Sequence, residues 1–273
     1  MKKSKKIVGS IKVIAKELVL VACLMVFVSG LGSAFKLAME LIHAPYVYSL
    51  TTAEAYGQFA KDKAGSIAMV TRRMGNRTGG GSAFVTVAAS GRPVLITNAH
   101  VCEIGKSDMS MDVTFDDGSR TIPARILEIV PEVDLCVLEA PVGHEPLPIG
   151  EPAKEQDPIM VMGHPKLLPL TLEAGHLAKS HGSIELFSDA GEEECARLGG
   201  KYGPVPLSWF TVVTCRIAYD ADFISVRIFP GNSGSVVINT RGEVVGVVFA
   251  SQNDQSMGYM VDVDQLTKVL LAY

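Results

Sequence analysis

The sequence has no excess of positive charge. Its 25 Lys and Arg against 29 Asp and Glu leave a net charge of −4 and a pI near 5.9, which argues against nucleic acid as a partner. It has no sustained internal repeat and no long low-complexity tract, which excludes a repeat array. Charged residues make up only 20% against 48% hydrophobic, so most of the chain is globular rather than disordered. His43, His144, His164, His176 and His181 lack HExxH or any other metal-ligand spacing, so structural roles are expected for them, with no metal and no cofactor. At 273 residues the chain can bury a full core in one domain or two small ones.

What is present begins with a segment set apart. Lys2, Lys3, Lys5, Lys6, Lys12 and Lys16 precede an uncharged run from Leu18 to Phe35. Those 18 residues make a helix of about 27 Å, enough to span a bilayer core. The expected division is a basic cytoplasmic tail over 1–17, a transmembrane signal anchor over 18–35 and a juxtamembrane connector over 36–65. The lysines place the N-terminus in the cytoplasm and the rest outside it, in the periplasm if the cell is Gram-negative. Two alternatives also export the remainder: a signal peptide cleaved near Gly32-Ser33-Ala34, giving a secreted protein, and a lipoprotein box at Leu20-Val21-Ala22-Cys23. Within the connector, Thr51 or Thr52 can cap a short helix from Ala53 to about Lys63.

From Ser66 the texture changes to short β-type runs broken by turn residues. Ile67–Thr71, Ala83–Val87, Val94–Thr97, Met111–Phe115, Ala124–Val130 and Asp134–Glu139 form a first set of strands. A connector bearing prolines, Pro141 to Pro152, leads to a second: Pro158–Met162, Thr171–Lys179, Trp209–Tyr219, Ser235–Asn239, Glu243–Ala250 and Met257–Val261. Two sets of about six predict an all-β domain over 66–273 built of two six-stranded antiparallel β-barrels, at about 66–150 and 155–262. Asp264 is the expected cap of a closing C-terminal helix, and residues 181–206 are expected as a surface loop.

Phe229-Pro230-Gly231-Asn232-Ser233-Gly234-Ser235 holds a serine between glycines just before an apolar run. That suits a nucleophile on a tight turn, with the N–H groups of Gly231 and Ser233 as an oxyanion hole. A serine needs a base, and the base an orienting acid. Thr97-Asn98-Ala99-His100 puts a histidine directly after a strand, and Val133-Asp134-Leu135-Cys136 puts an acid at the head of one. The order His100, Asp134, Ser233 is the chymotrypsin order. In that chemistry His100 takes the Ser233 proton and later protonates the leaving amine, while Asp134 fixes the imidazole tautomer.

Through these motifs the sequence resembles the trypsin-like serine proteases, most closely the bacterial HtrA/DegP branch. Ser82-Ala83-Phe84-Val85, Thr97–His100, Asp134–Leu138, Met162–Pro165 with Thr171–Gly175, and Gly231–Gly234 carry the resemblance in order over about 66–272. Ser235-Val236 replaces the family's usual Gly-Pro, and no PDZ domain follows, so gating by peptide-driven oligomers is not expected. The resemblance implies a serine endopeptidase that binds protein or peptide substrates as a strand beside Phe249, Ala250 and Ser251; with the expected anchor over 18–35 it is a membrane-anchored one. It also places Arg227, six before Ser233, at the base of the pocket for the side chain preceding the cut. There the arginine would favour an acidic residue, unless it points to water or pairs with Asp222. The rival is a catalytically silent pseudoprotease holding peptides in the same cleft; the motifs assign no oligomeric state. Cys102, Cys136, Cys195 and Cys215 admit three connectivities. If His100 and Asp134 touch, Cys102 and Cys136 are drawn near each other. Cys195 with Cys215 is the alternative or second bridge, and each cysteine can equally stand as a small buried hydrophobe.

Overall fold

The computed structural model describes residues 53–273 apart from 75–76, 103–108, 116–120, 189–190, 208–209 and 253. The expected basic tail over 1–17, the anchor over 18–35 and the connector up to residue 52 lie outside the described residues. Among the described residues no helix is long and apolar enough to cross a membrane.

Helix α1 (Ala53–Lys63) forms where the sequence places it and leads into β1 (Ile67–Met74). The first sheet continues with β2 (Arg77–Val87), β3 (Pro93–Thr97), a one-turn helix α2 (Ala99–Cys102), β4 (Met109–Phe115), β5 (Ile122–Pro123), β6 (Ile126–Val130) and β7 (Leu135–Glu139). Its order is β5-β4-β1-β2-β3-β7-β6. This is an open half-barrel of seven strands, not the six-stranded barrel expected: the expected strand 124–130 begins only at Ile126, and Ile122 and Pro123 ahead of it pair with β4 as a short extra strand. Val70, Val85, Leu95, Val113, Phe115 and Leu138 fill its core.

The second sheet holds β8 (Pro158–Gly163), β9 (Thr171–Ser188), β10 (Lys201–Leu207), β11 (Phe210–Ile224), β12 (Val236–Asn239), β13 (Val244–Ser251) and β14 (Gly258–Asp262). Six of them close as a ring through a β9–β11 pairing, and β10 is added at one side. Ile159, Val161, Leu177, Ile224, Val237 and Met260 pack inside. The connector joins the sheets through its backbone, with Leu147 N–H donating to Val85 O and Gly150 N–H to Val244 O, both at 2.8 Å.

Residues 181–206 are not a surface loop. β9 runs on to Ser188, helix α3 (Glu192–Arg197) follows, and β10 pairs antiparallel with β11. Together they make an arm whose small core is the Cys195–Cys215 disulfide with Ile217, packed against by Leu198 and Tyr219. Pro204 and Pro206 remove two N–H groups from β10, which suits a strand paired on one side only.

Helix α4 (Val263–Leu270) closes the chain, capped by Asp262 rather than the expected Asp264; the Asp262 carboxylate accepts the Gln265 N–H at 2.9 Å. Beyond it the Tyr273 hydroxyl donates to Glu128 Oε2 at 2.6 Å. Burial and that carboxylate push the phenol up to about 12.

Candidate active site

Strand β3 is buried along four of its five residues and delivers Thr97, Asn98 and α2 to the head of β7. There Asp134 sits in the left-handed region at φ 52, closing the 3-10 turn Pro131–Val133. An aspartate tolerates that conformation better than most residues. Four hydrogen bonds wrap residues 98–100 around it. Asn98 Nδ2–H and Ala99 N–H donate to the Asp134 carbonyl at 2.9 and 3.1 Å. The carboxylate takes the His100 N–H on Oδ1 at 2.9 Å and His100 Nδ1 on Oδ2 at 2.7 Å. Asp134 is 4% exposed, while the His100 side chain is 44% exposed. With Nδ1–H donating to the acid, Nε2 carries the lone pair.

The serine turn is stitched to the first sheet at Ser82. Ser82 N–H donates to the Ser233 carbonyl at 2.7 Å, and the Ser82 carbonyl accepts Thr97 Oγ1–H at 2.7 Å. One residue of β2 therefore holds both the loop of Ser233 and the strand end that carries His100. A Cβ on Gly81 would lie 2.5 Å from the Ser233 carbonyl oxygen and 2.9 Å from Val101 Cγ2, beside His100. Gly231 and Gly234 have φ 96 and 83. A side chain on Gly234 would come within 2.0 Å of the Ser82 carbonyl oxygen, so only glycine fits there.

The Pro230 carbonyl accepts the Lys166 N–H at 2.5 Å. Across a trans peptide this turns the Gly231 N–H to the opposite side. Among the described residues neither that N–H nor Ser233's has a hydrogen-bond acceptor, which leaves both donors available to a ligand oxygen. The holding segment is itself unusual, since Lys166 and Leu167 lie at φ 57 and 55, outside the ordinary range of such residues. His164 Nδ1–H closes the same turn on the Leu168 carbonyl at 3.0 Å.

Ser82 Oγ also donates to the Gly231 carbonyl at 2.8 Å and accepts the His164 N–H at 2.8 Å and the Ser235 hydroxyl at 3.2 Å. Ser235, where the resembling family has glycine, is accommodated because residue 163 lacks a side chain. A Cβ on Gly163 would fall 1.8 Å from Ser235 Oγ and 2.8 Å from its Cβ. Gly163→Ala is accordingly expected to lower stability by about 1–3 kcal/mol, with Ser235→Gly in the same chain restoring part of the loss. Denaturation midpoints of both single variants and the double variant check this; strictly additive losses would show that the two sites do not crowd each other.

The remaining expected site residues divide. Phe249 is 3% exposed and lines a cavity with His100 and Asp134. It stands at a bulge in the β13–β14 pairing, between Val248↔Met260 and Ala250↔Tyr259, a device that re-aims a side chain beside a site. Ala250 and Ser251 are half-buried on the same strand. Arg227 is not brought to the others. It is exposed between buried Val226 and Ile228, whereas the base of a desolvated pocket requires burial. It points outward, as in the second possibility raised from the sequence. Asp222 instead accepts the His181 N–H at 2.8 Å, and burial pushes its carboxyl up. Of the possibilities left open for the four cysteines, the structure has the two bridges Cys102–Cys136 and Cys195–Cys215, with Cα–Cα distances of 6.4 and 5.5 Å. The sequence reading missed the arm residues Leu186, Leu198, Ile217 and Tyr219, which line the same cavity as His100. Ile217 and Tyr219 stood in the expected strand Trp209–Tyr219 without being assigned to the site, while Leu186 and Leu198 fell in the expected loop.

A family model described as a trypsin-like peptidase domain matches residues 81–247. Serine protease Rv3671c of Mycobacterium tuberculosis is 29% identical over 175 residues, covering 61% of this chain and 36% of its own length. Serine protease PepD of the same organism is 25% identical over 225 residues, covering 75% and 43%. The chain thus spans less than half the length of these relatives. The crystal structure of the Rv3671c protease in its active form superposes with a TM-score of 0.57 at 21% identity, covering 77% of this chain and 81% of that one. At that identity the likeness shows the fold.

Proposed function

Since this chain belongs to the trypsin-like peptidase family, we propose that it is a membrane-anchored serine endopeptidase that cuts protein substrates through Ser233, His100 and Asp134. The observation that carries this reading is the 2.7 Å contact of His100 Nδ1 with Asp134 Oδ2, on a turn tied through Ser82 to the loop of Ser233. His100 Nε2 removes the Ser233 hydroxyl proton as Oγ attacks the scissile carbonyl. The developing oxyanion is received by the N–H groups of Gly231 and Ser233, fixed in place before reaction. The imidazolium, steadied by Asp134, then protonates the leaving amine, and water repeats the sequence to release the acyl group. No acidic preference is proposed for the residue preceding the cut, because Arg227 is exposed.

Labelling with a fluorophosphonate tests the reading, because only an activated serine reacts. The wild-type chain is expected to label at Ser233 and the Ser233→Ala variant not at all. A chain that binds peptides yet does not label is the pseudoprotease.

The anchor is proposed from the six lysines and the apolar run 18–35. In spheroplasts, added protease is expected to reach Ser66 onward while residues 1–17 stay protected. Protection of both, or release of the domain to the medium, would replace the anchored topology.

A further inference from the structure

Beside the acid–histidine pair lies a cavity of about 240 Å³ whose far wall belongs to the arm. Leu186 of β9 faces Ile217 of β11 in direct register, and Leu198 follows α3; with Tyr219 they form that wall. Phe249 forms the near side, its ring 5.3 Å from that of Tyr219. Apart from His100 and Asp134 the lining carries no charged residue. Leu198, Ile217 and Tyr219 rest in turn on the buried Cys195–Cys215 disulfide, so the wall is held by a covalent staple rather than by a deep core.

We propose that this arm makes an apolar subsite selecting a bulky hydrophobic side chain of the substrate, within four residues on the N-terminal side of the cut. The proposal rests on the endopeptidase reading above and adds its substrate class. Three observations carry it. The cavity is continuous with the reacting pair, so a peptide lying along Phe249, Ala250 and Ser251 reaches it from the scissile bond. Its volume suffices for a leucine or phenylalanine side chain, since a dry cavity of roughly 150 Å³ already admits benzene. Its arm wall of Leu186, Leu198, Ile217 and Tyr219 offers an acidic or basic side chain no opposite charge, whereas an apolar one gains burial.

The test uses the full-length chain and a peptide series with a fixed scissile bond, varied two to four residues upstream. Leu or Phe at one of these positions is expected to raise kcat/KM at least about tenfold over Ala, Asp or Lys. Leu198→Asp is expected to bring that ratio near one in a chain that still labels with the fluorophosphonate at Ser233. Cys195→Ala with Cys215→Ala is expected to weaken the ratio in the same way, and Leu198→Ser serves if the aspartate variant does not fold. A wild-type chain that labels but shows no upstream preference overturns this proposal alone. So does a preference that survives both a folded Leu198 variant and removal of the staple. A wild-type chain that does not label overturns the catalytic reading and the subsite with it.

Discussion

Replacing Ser233 or His100 by Ala is expected to lower kcat by about 10⁶, and Asp134→Asn by about 10⁴. In the proposed mechanism the first two remove the nucleophile or its base outright. What remains is the catalysis available from binding and from the N–H groups of Gly231 and Ser233. The aspartate case follows from its geometry. Both carboxylate oxygens of Asp134 accept from one residue, Oδ1 from the His100 N–H and Oδ2 from His100 Nδ1. An asparagine keeps only one acceptor there. If its oxygen faces the backbone N–H, its amide faces Nδ1, and the ring must carry its proton on Nε2 to accept that donor. The base toward Ser233 is then lost although nothing has moved. If the amide is turned round, the His100 N–H meets a donor and the turn of α2 loosens. Single-turnover hydrolysis of a protein substrate, with thermal midpoints to show that each variant is folded, measures the three losses. Near wild-type turnover in any of them would remove that residue from its proposed role.

The strand boundaries that carry His100, Asp134 and Ser233 were legible because a short apolar run meets a turn at each. The strands around them were legible for the same reason, since β3 and β7 are buried on both faces and present unbroken apolar runs. Pairing was less so, because periodicity gives a strand's faces but not its neighbours. The sequence therefore pointed to two six-stranded barrels where one sheet is open and the other carries a seventh strand. The arm escaped because its order comes from elsewhere. Ser180, His181, Gly182 and Ser183 break the alternation of β9, α3 is only six residues long, and β10 carries two prolines. Each is a signal against regular structure, overridden by a disulfide that no local pattern reveals. Arg227 shows the opposite failure. Counting back from Ser233 placed it in a pocket, while the alternation Val226, Arg227, Ile228 already marked it as the outward residue of three. Local burial pattern was the better guide than an offset borrowed from a resemblance.

Removing the Cys102–Cys136 bridge by replacing both residues with Ala is expected to lower stability by about 3–4 kcal/mol. The bridge closes a separation of 34 residues, against 20 for Cys195–Cys215, and the longer loop constrains the unfolded chain more. For a chain of this size the loss corresponds to a fall of about 6–16 °C in Tm. Its position, two residues beyond His100 and two beyond Asp134, suggests at first that it also sets the reacting geometry. The hydrogen bonds argue otherwise. Four of them already wrap residues 98–100 around Asp134, and none involves a cysteine. Below the lowered midpoint the double-Ala variant is therefore expected to retain hydrolysis within a few-fold of wild type, and reductant to lower the wild-type Tm but not kcat measured well below it. Both sulfurs are buried, so a reductant acts only after the fold opens around them. Thermal melts and initial rates with and without reductant separate the two effects. A kcat that collapses at low temperature in a folded double-Ala variant would make the bridge part of the site's alignment. A non-reducing peptide map showing Cys102 and Cys136 as free thiols would remove the bridge itself.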